Sequence, residues 1–118
     1  MNIGLTLGEK QRKFTCMIAD LIVWAYANGY ELTFGDAYRS PEQAAANAAA
    51  GTGISKSLHT QRLAVDFNLF VHGTFQTETT AHALLGAYWK SLDPDARWGG
   101  DFNKPDGNHY SLEHEGVK

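Results

Sequence analysis

Residues 57–69 read Ser-Leu-His-Thr-Gln-Arg-Leu-Ala-Val-Asp-Phe-Asn-Leu, and the second half of that stretch is the most regular in the chain. Leu63, Val65, Phe67 and Leu69 alternate with Ala64, Asp66 and Asn68, the period of two expected of a strand with one face in a core. Asp66 then falls on the face away from the apolar set, and His59 lies just before the strand. The two are seven residues apart, too far for one helical turn but within reach if the loop folds back over the strand entrance.

Upstream, Phe14, Met17, Ile18, Leu21, Ile22 and Ala25 recur at spacings of three and four, which predicts an amphipathic helix over about residues 7–28. Thr6 and Glu9 have capping-box spacing before it, and Asn28-Gly29 supplies a left-handed stop after it. Cys16, the single cysteine, reads as a small buried residue on this helix and excludes an internal disulfide. Glu31 to Tyr38 predicts a strand. Ser40-Pro41-Glu42-Gln43 opens a second helix with a serine cap and a first-turn proline, continued by Ala44–Ala50 and stopped at Gly51. Residues Gly51–Ser57 read as a loop.

Downstream, His72-Gly73 marks a turn. Ala81, Leu84, Leu85, Tyr88 and Trp89 mark a third helix closed by Asp93-Pro94. Trp98-Gly99-Gly100 and Lys104-Pro105-Asp106-Gly107 are loop sequences, and His109 to His114 forms a final short strand. The alternation of helices and strands, without repeat or linker, predicts one small α+β domain over residues 1–118: a short antiparallel sheet flanked by helices. A chain of 118 residues with 43% hydrophobic and 19% charged side chains can build its own core, and a monomer is expected.

The net charge of −3 argues against a phosphate-tracking nucleic-acid binder. No apolar run is long enough for a membrane insertion, and no secretory signal is visible, so synthesis in the cytoplasm is expected. The charge is unevenly spread. Residues 57–118 carry eight acidic side chains against five in residues 1–56, and they hold all five histidines. Imidazoles and carboxylates gathered without cysteines suggest a metal site of nitrogen and oxygen donors. His59, Asp66 and His109 make a reasonable zinc set, because three protein ligands leave a fourth tetrahedral position open. That places a zinc site at the sheet.

Ser57-Leu58-His59 with Ala64-Val65-Asp66 resembles the Ser-x-His-(x6)-Asp signature of zinc murein peptidases, a family of D-alanyl-D-alanine carboxypeptidases, vancomycin-resistance dipeptidases and phage endolysins that cut L-alanyl-D-glutamate bonds. Tyr38-Arg39-Ser40 resembles the family's Tyr-Arg-Ser segment. Asp106-Gly107-Asn108-His109 resembles its closing Asp-x-x-His motif. The resemblance implies that His59, Asp66 and His109 hold zinc and that Asp106 is the general base that takes a proton from the attacking water. It also implies that Arg39 binds a substrate carboxylate or the developing oxyanion, and that Ser57 supports a ligand or the substrate. The implied substrate is a peptidoglycan stem peptide. The compact form looks like the endolysin branch, which reaches the wall through a holin. The chain departs from the family at Arg62, where glycine is common three residues after the first histidine. Glu113, four residues beyond His109 on the same strand face, is a rival for the base.

Other readings stay open at this level. Asp106-Gly107 could be a connecting turn, and Arg39 a surface ion-pair residue. His82 falls on the polar side of its helix as a solvated residue, and His114 is a reserve ligand. Trp98, beside two glycines, is the best groove candidate among the tryptophans. A D-alanyl-D-alanine-type carboxypeptidase and a non-catalytic zinc-bearing wall-binding module are the competing functions.

Overall fold

A computed structural model describes residue 2, residues 4–51 and residues 57–118. Three helices and five strands form the α+β domain: α1 (Leu7–Ala27), β1 (Tyr30–Phe34), α2 (Pro41–Ala49), β2 (Ala64–Val71), β3 (Thr74–Gln76), α3 (Ala83–Ser91), β4 (Ala96–Trp98) and β5 (His109–Leu112). Short 3-10 turns at Leu58–Gln61, Thr79–His82 and Gly99–Asp101 lead into β2, into α3 and out of β4.

The capping box forms as its spacing implies. Thr6 Oγ1 accepts from the Glu9 amide at 3.1 Å, and Glu9 accepts from the Thr6 amide at 3.1 Å. Phe14, Met17, Ile18, Leu21 and Ala25 are buried along one stripe, and Gly29 takes the left-handed φ of +84° that ends the run. Cys16 is exposed, which corrects the sequence reading. At 100° per residue it stands some 200° around the helix from Phe14, on the solvent side.

All strand pairings are antiparallel, in the order β1-β2-β5-β4, with β3 paired to the far half of β2. Val65, Phe67 and Leu69 of β2 share a buried cluster with Tyr110 and Leu112 of β5, the α1 stripe, and Leu85 and Trp89 of α3. Both helices therefore cover one face of the sheet. Aromatic edges lock this layer, with Phe14 against Trp89 at 5.7 Å and Trp89 against Tyr110 at 6.2 Å. The opposite face of β2 carries Asp66 and Asn68, both only partly covered.

Several boundaries differ from expectation. β1 ends at Phe34, because Gly35 and Asp36 turn away to bond the Asp66 backbone (Gly35 N to Asp66 O and Asp66 N to Asp36 O, both 2.8 Å). A Cβ at Gly35 would sit 3.1 Å from the Asp66 carbonyl, a tight contact that would move the two segments apart by a few tenths of an ångström. In α2, Ser40 caps the Gln43 amide, but the Gln43 side chain turns to Asn47 and does not complete a capping box. β3 and β4, three residues each, are too short to show a period in sequence. β3 is joined to β2 by the tight His72-Gly73 turn, with both φ values positive (51° and 76°). Of the loop expected at Gly51–Ser57, residues 52–56 lie outside the described part of the chain.

Candidate metal centre

The sheet register brings two of the three candidate ligands together. Asp66 of β2 is paired directly opposite His109 of β5. On an antiparallel pair, opposite side chains project from the same face, here the face opposite α1 and α3. The third arrives from the 3-10 turn. Ser57 Oγ accepts from the His59 amide at 3.2 Å and so caps the turn, and the Arg39 amide donates to the His59 carbonyl at 3.2 Å. The loop does fold back over the strand entrance.

His59 Nε2 stands 3.3 Å from Asp66 Oδ1, and His109 Nδ1 stands 3.5 Å from the same oxygen. The donor atoms of all three residues lie within 4.8 Å of one another. Zinc bonds of about 2.0–2.1 Å place the ligand atoms of a tetrahedron about 3.3 Å apart, so the two separations from Asp66 Oδ1 fit this metal. Asp66 Oδ1 is buried and has no hydrogen-bond partner. Leaving a carboxylate oxygen unsatisfied is costly, and a cation between the three groups would relieve it. Burial pushes the Asp66 carboxyl up, but the imidazoles of His109 and His59 outweigh this and hold it at about 2. It is therefore an anion at neutral pH, as a ligand must be.

Asp106 lies on the rim. Arg39, Ser57, His59, Asp66, Phe102, Lys104, Asp106, His109 and Lys118 are among the residues around a cleft of about 550 Å³. Burial against the wall raises the Asp106 carboxyl above its usual range, and the Asp66 charge adds to this, a shift that suits a proton acceptor. The strand and Asp106 are tied through the backbone: His109 N donates to Asp106 O at 3.1 Å, and Asp106 N donates to Gly99 O at 2.9 Å. Asp106-Gly107 is thus a turn and a cleft residue at once.

Arg39 makes an ion pair and also lines the cleft: its Nη2 pairs with Asp36 Oδ2 at 2.8 Å, and the side chain is largely covered. Ser57 touches the His59 backbone, so its part is positional. Arg62 explains its own departure from the family pattern. It has φ 56° and ψ 37° at the end of the 3-10 turn, the left-handed conformation that glycine adopts without penalty. The arginine accepts that strain, and its guanidinium lies 4.1 Å over the Tyr38 ring.

Four expectations need correction. Glu113 is no rival for the base: β5 stops at Leu112, and Glu113 pairs with Arg97 at 3.0 Å, away from the cleft. His114 is no reserve ligand, since its Nδ1 lies 2.9 Å from Lys10 Nζ. His82 is buried rather than solvated. It sits in the 3-10 turn ahead of α3, where α-helical spacing does not apply, and its Nδ1 meets the Tyr110 hydroxyl at 2.7 Å. Trp98 belongs to the scaffold and lines no part of the cleft: it is 9% exposed, and its Nε1 donates to the Gly107 carbonyl at 2.7 Å.

The glycines around it were the signal that sequence reasoning missed. A Cβ at Gly86 or Gly100 would enter the Trp98 ring (2.2 and 2.3 Å), and one at Gly99 would strike the Asp106 carbonyl (2.0 Å). These residues let the loop carrying Asp106 pack onto β4 and α3.

In fold, the chain resembles the L-Ala D-Glu endopeptidase ChiX of Serratia marcescens, at a TM-score of 0.73 and 18% identity over 86% of this chain and 79% of that one. It also resembles the vancomycin-resistance D,D-pentapeptidase VanY of a VanB-type cassette, solved with zinc, at a TM-score of 0.57 and 18% identity over 85% and 70%. No curated protein sequence matches the chain. A family model described as D-alanyl-D-alanine carboxypeptidase matches residues 50–112, more than half of the chain and the whole span from His59 to His109. The chain belongs to that family of zinc-dependent peptidases, and it is a metallopeptidase of bacterial peptidoglycan.

Proposed function

We propose that this peptidase cuts the L-alanyl-D-glutamate bond of peptidoglycan stems, with His59, Asp66 and His109 as the zinc ligands and Asp106 as the general base. The observation that carries the reading is the convergence of three donor atoms 3.3 and 3.5 Å apart, with the Asp106 carboxylate beside them on an open cleft. When bound, zinc polarises the scissile carbonyl and makes water acidic enough to ionise near neutral pH.

The chain's own groups do the rest. Asp106 accepts the proton of the attacking water and returns it to the leaving amine, for which its raised affinity for protons is suited. Arg39, oriented by Asp36, faces the cleft with a fork of donors for a carboxylate or the developing oxyanion. Phe102, whose ring lies 5.4 Å from that of His109, supplies an apolar wall that limits water around the ligands.

Two features favour an internal bond over a terminal one. Asp106 lines a second pocket as well as the cleft, which gives room for a chain on both sides of the base. The likeness to ChiX is also stronger than that to VanY. A role as a phage endolysin, made in the cytoplasm and released to the wall through a holin, belongs to the same proposal. Digestion of purified peptidoglycan followed by mass spectrometry tests the bond: new D-glutamyl amines are expected, and release of free D-alanine would assign a carboxypeptidase instead.

A further inference from the structure

Along one edge of β2, β5 covers residues 64–66 and β3 covers residues 69–71. Phe67 and Asn68 lie in the fork between them. The fork is a pocket of about 300 Å³, closed by Phe75 and Gln76 of β3, the Thr77–His82 segment and the Pro105–Asn108 loop. Asp106 lines both this pocket and the metal-side cleft. The wall between them is fixed, because Trp98 Nε1 donates to the Gly107 carbonyl and Gly107 N donates to Thr79 Oγ1 at 3.2 Å.

The two sides differ in charge. Three cations, Arg39, Lys104 and Lys118, line the metal-side cleft with two carboxylates, Asp66 and the shared Asp106. Among the described residues the fork holds no Lys or Arg, and its charged groups are Glu78 and the shared Asp106. What it offers instead are amides and hydroxyls, with Asn108 Oδ1 buried and without a partner, and one face of the half-exposed Phe75 ring. Such a lining suits a neutral ligand with N–H donors and an apolar face.

We propose that the fork binds the acyl side of the substrate, L-alanine with its amide-linked N-acetylmuramyl sugar, while the Arg39 cleft receives the carboxylate-bearing D-glutamyl side. In peptidoglycan the sugar end of the stem is uncharged and the D-glutamyl end is anionic, so the charge difference between the pockets sets the direction in which the substrate lies across Asp106. This assignment rests on the L-alanyl-D-glutamate reading above.

The test compares kcat/KM for a disaccharide-linked L-Ala-D-Glu-L-Lys muropeptide and the same tripeptide without sugar, with products identified by mass. A preference of tenfold or more for the sugar-linked substrate is expected, and Phe75→Ala and Gln76→Ala should each bring that ratio toward one. Both positions are on the exposed hairpin, and thermal melting checks that each variant is folded. Equal rates on the two substrates, or a preference that both variants leave intact, would overturn the pocket assignment, while the product masses still assign the bond. If neither substrate is cut between L-Ala and D-Glu, the bond assignment falls, and the sugar's place in the fork falls with it.

Discussion

α1 and the Trp98–Asn108 segment are built by opposite means. α1 is legible locally: a capping box and a glycine stop satisfied within a few residues, and a stripe of spaced apolar residues visible in the sequence before its partners in the sheet and α3 are known. The Trp98–Asn108 segment has almost no period. It is shaped by Gly99 and Gly100, which allow contacts a side chain would forbid, and by an indole donating to the Gly107 carbonyl. The helix stabilises the domain and lies away from the cleft, whereas the irregular segment carries Asp106, the proposed base, and leads into His109, a proposed ligand. Periodic sequence builds the scaffold, and close packing of small residues positions the site.

The largest expected effect falls in the irregular segment. Asp106→Ala should lower kcat by roughly 10²–10⁴-fold, the range of a lost general base, while zinc content stays unchanged. Steady-state kinetics alongside metal analysis checks this, and near-normal turnover would move the base elsewhere.

The comparison is sharpened by making the same substitution twice. At Gly99 a Cβ would lie 2.0 Å from the Asp106 carbonyl and 2.8 Å from His109 Cβ. Gly99→Ala should therefore cost about 3 kcal/mol and reduce activity. At Gly8 in α1 the nearest neighbour of a new Cβ is Arg12 Nη1 at 3.4 Å, so Gly8→Ala should stabilise by about 0.5 kcal/mol. Denaturant melts of the pair should move in opposite directions. A shared sign would break the contrast.

His82 gives a pH signature between the two regions. Burial lowers its pKa from 6.5 to about 4, so the folded protein holds it neutral while the unfolded chain takes up a proton. Its contribution is complete above about pH 6.5 and is lost as pH falls toward 4, by up to about 3 kcal/mol in all. His82→Gln should flatten the stability profile across that window. A profile of the same slope would mean that the imidazole is protonated in the fold. At the helix cap the expected effect is smaller than at His82: Thr6→Ala should cost about 1 kcal/mol and leave kcat unchanged.

How far the sequence could be read follows the same division. The α1 stripe, the β2 alternation and the serine-proline start of α2 depend on nearest neighbours, and all three are legible. The metal cluster is partly legible. The alternation puts Asp66 on the free face, but that His109 stands opposite it depends on the register of strands 43 residues apart. Cys16 and His82 were misplaced for related reasons. The cysteine lies off the apolar stripe of its own helix, and the histidine lies in a 3-10 turn where helical spacing fails. An expected strand running to His114 sets Glu113 beside the site, but β5 ends at Leu112 and Glu113 pairs with Arg97 on β4.

Zinc stoichiometry of the purified protein and its variants, read by inductively coupled plasma mass spectrometry, probes the convergence of His59, Asp66 and His109 without reference to any substrate. One zinc per chain is expected in the wild type and in Asp106→Ala, and a large loss is expected in each of His59→Ala, Asp66→Ala and His109→Ala. Full zinc occupancy in those three variants, or a wild-type protein that takes up none, would contradict the assignment.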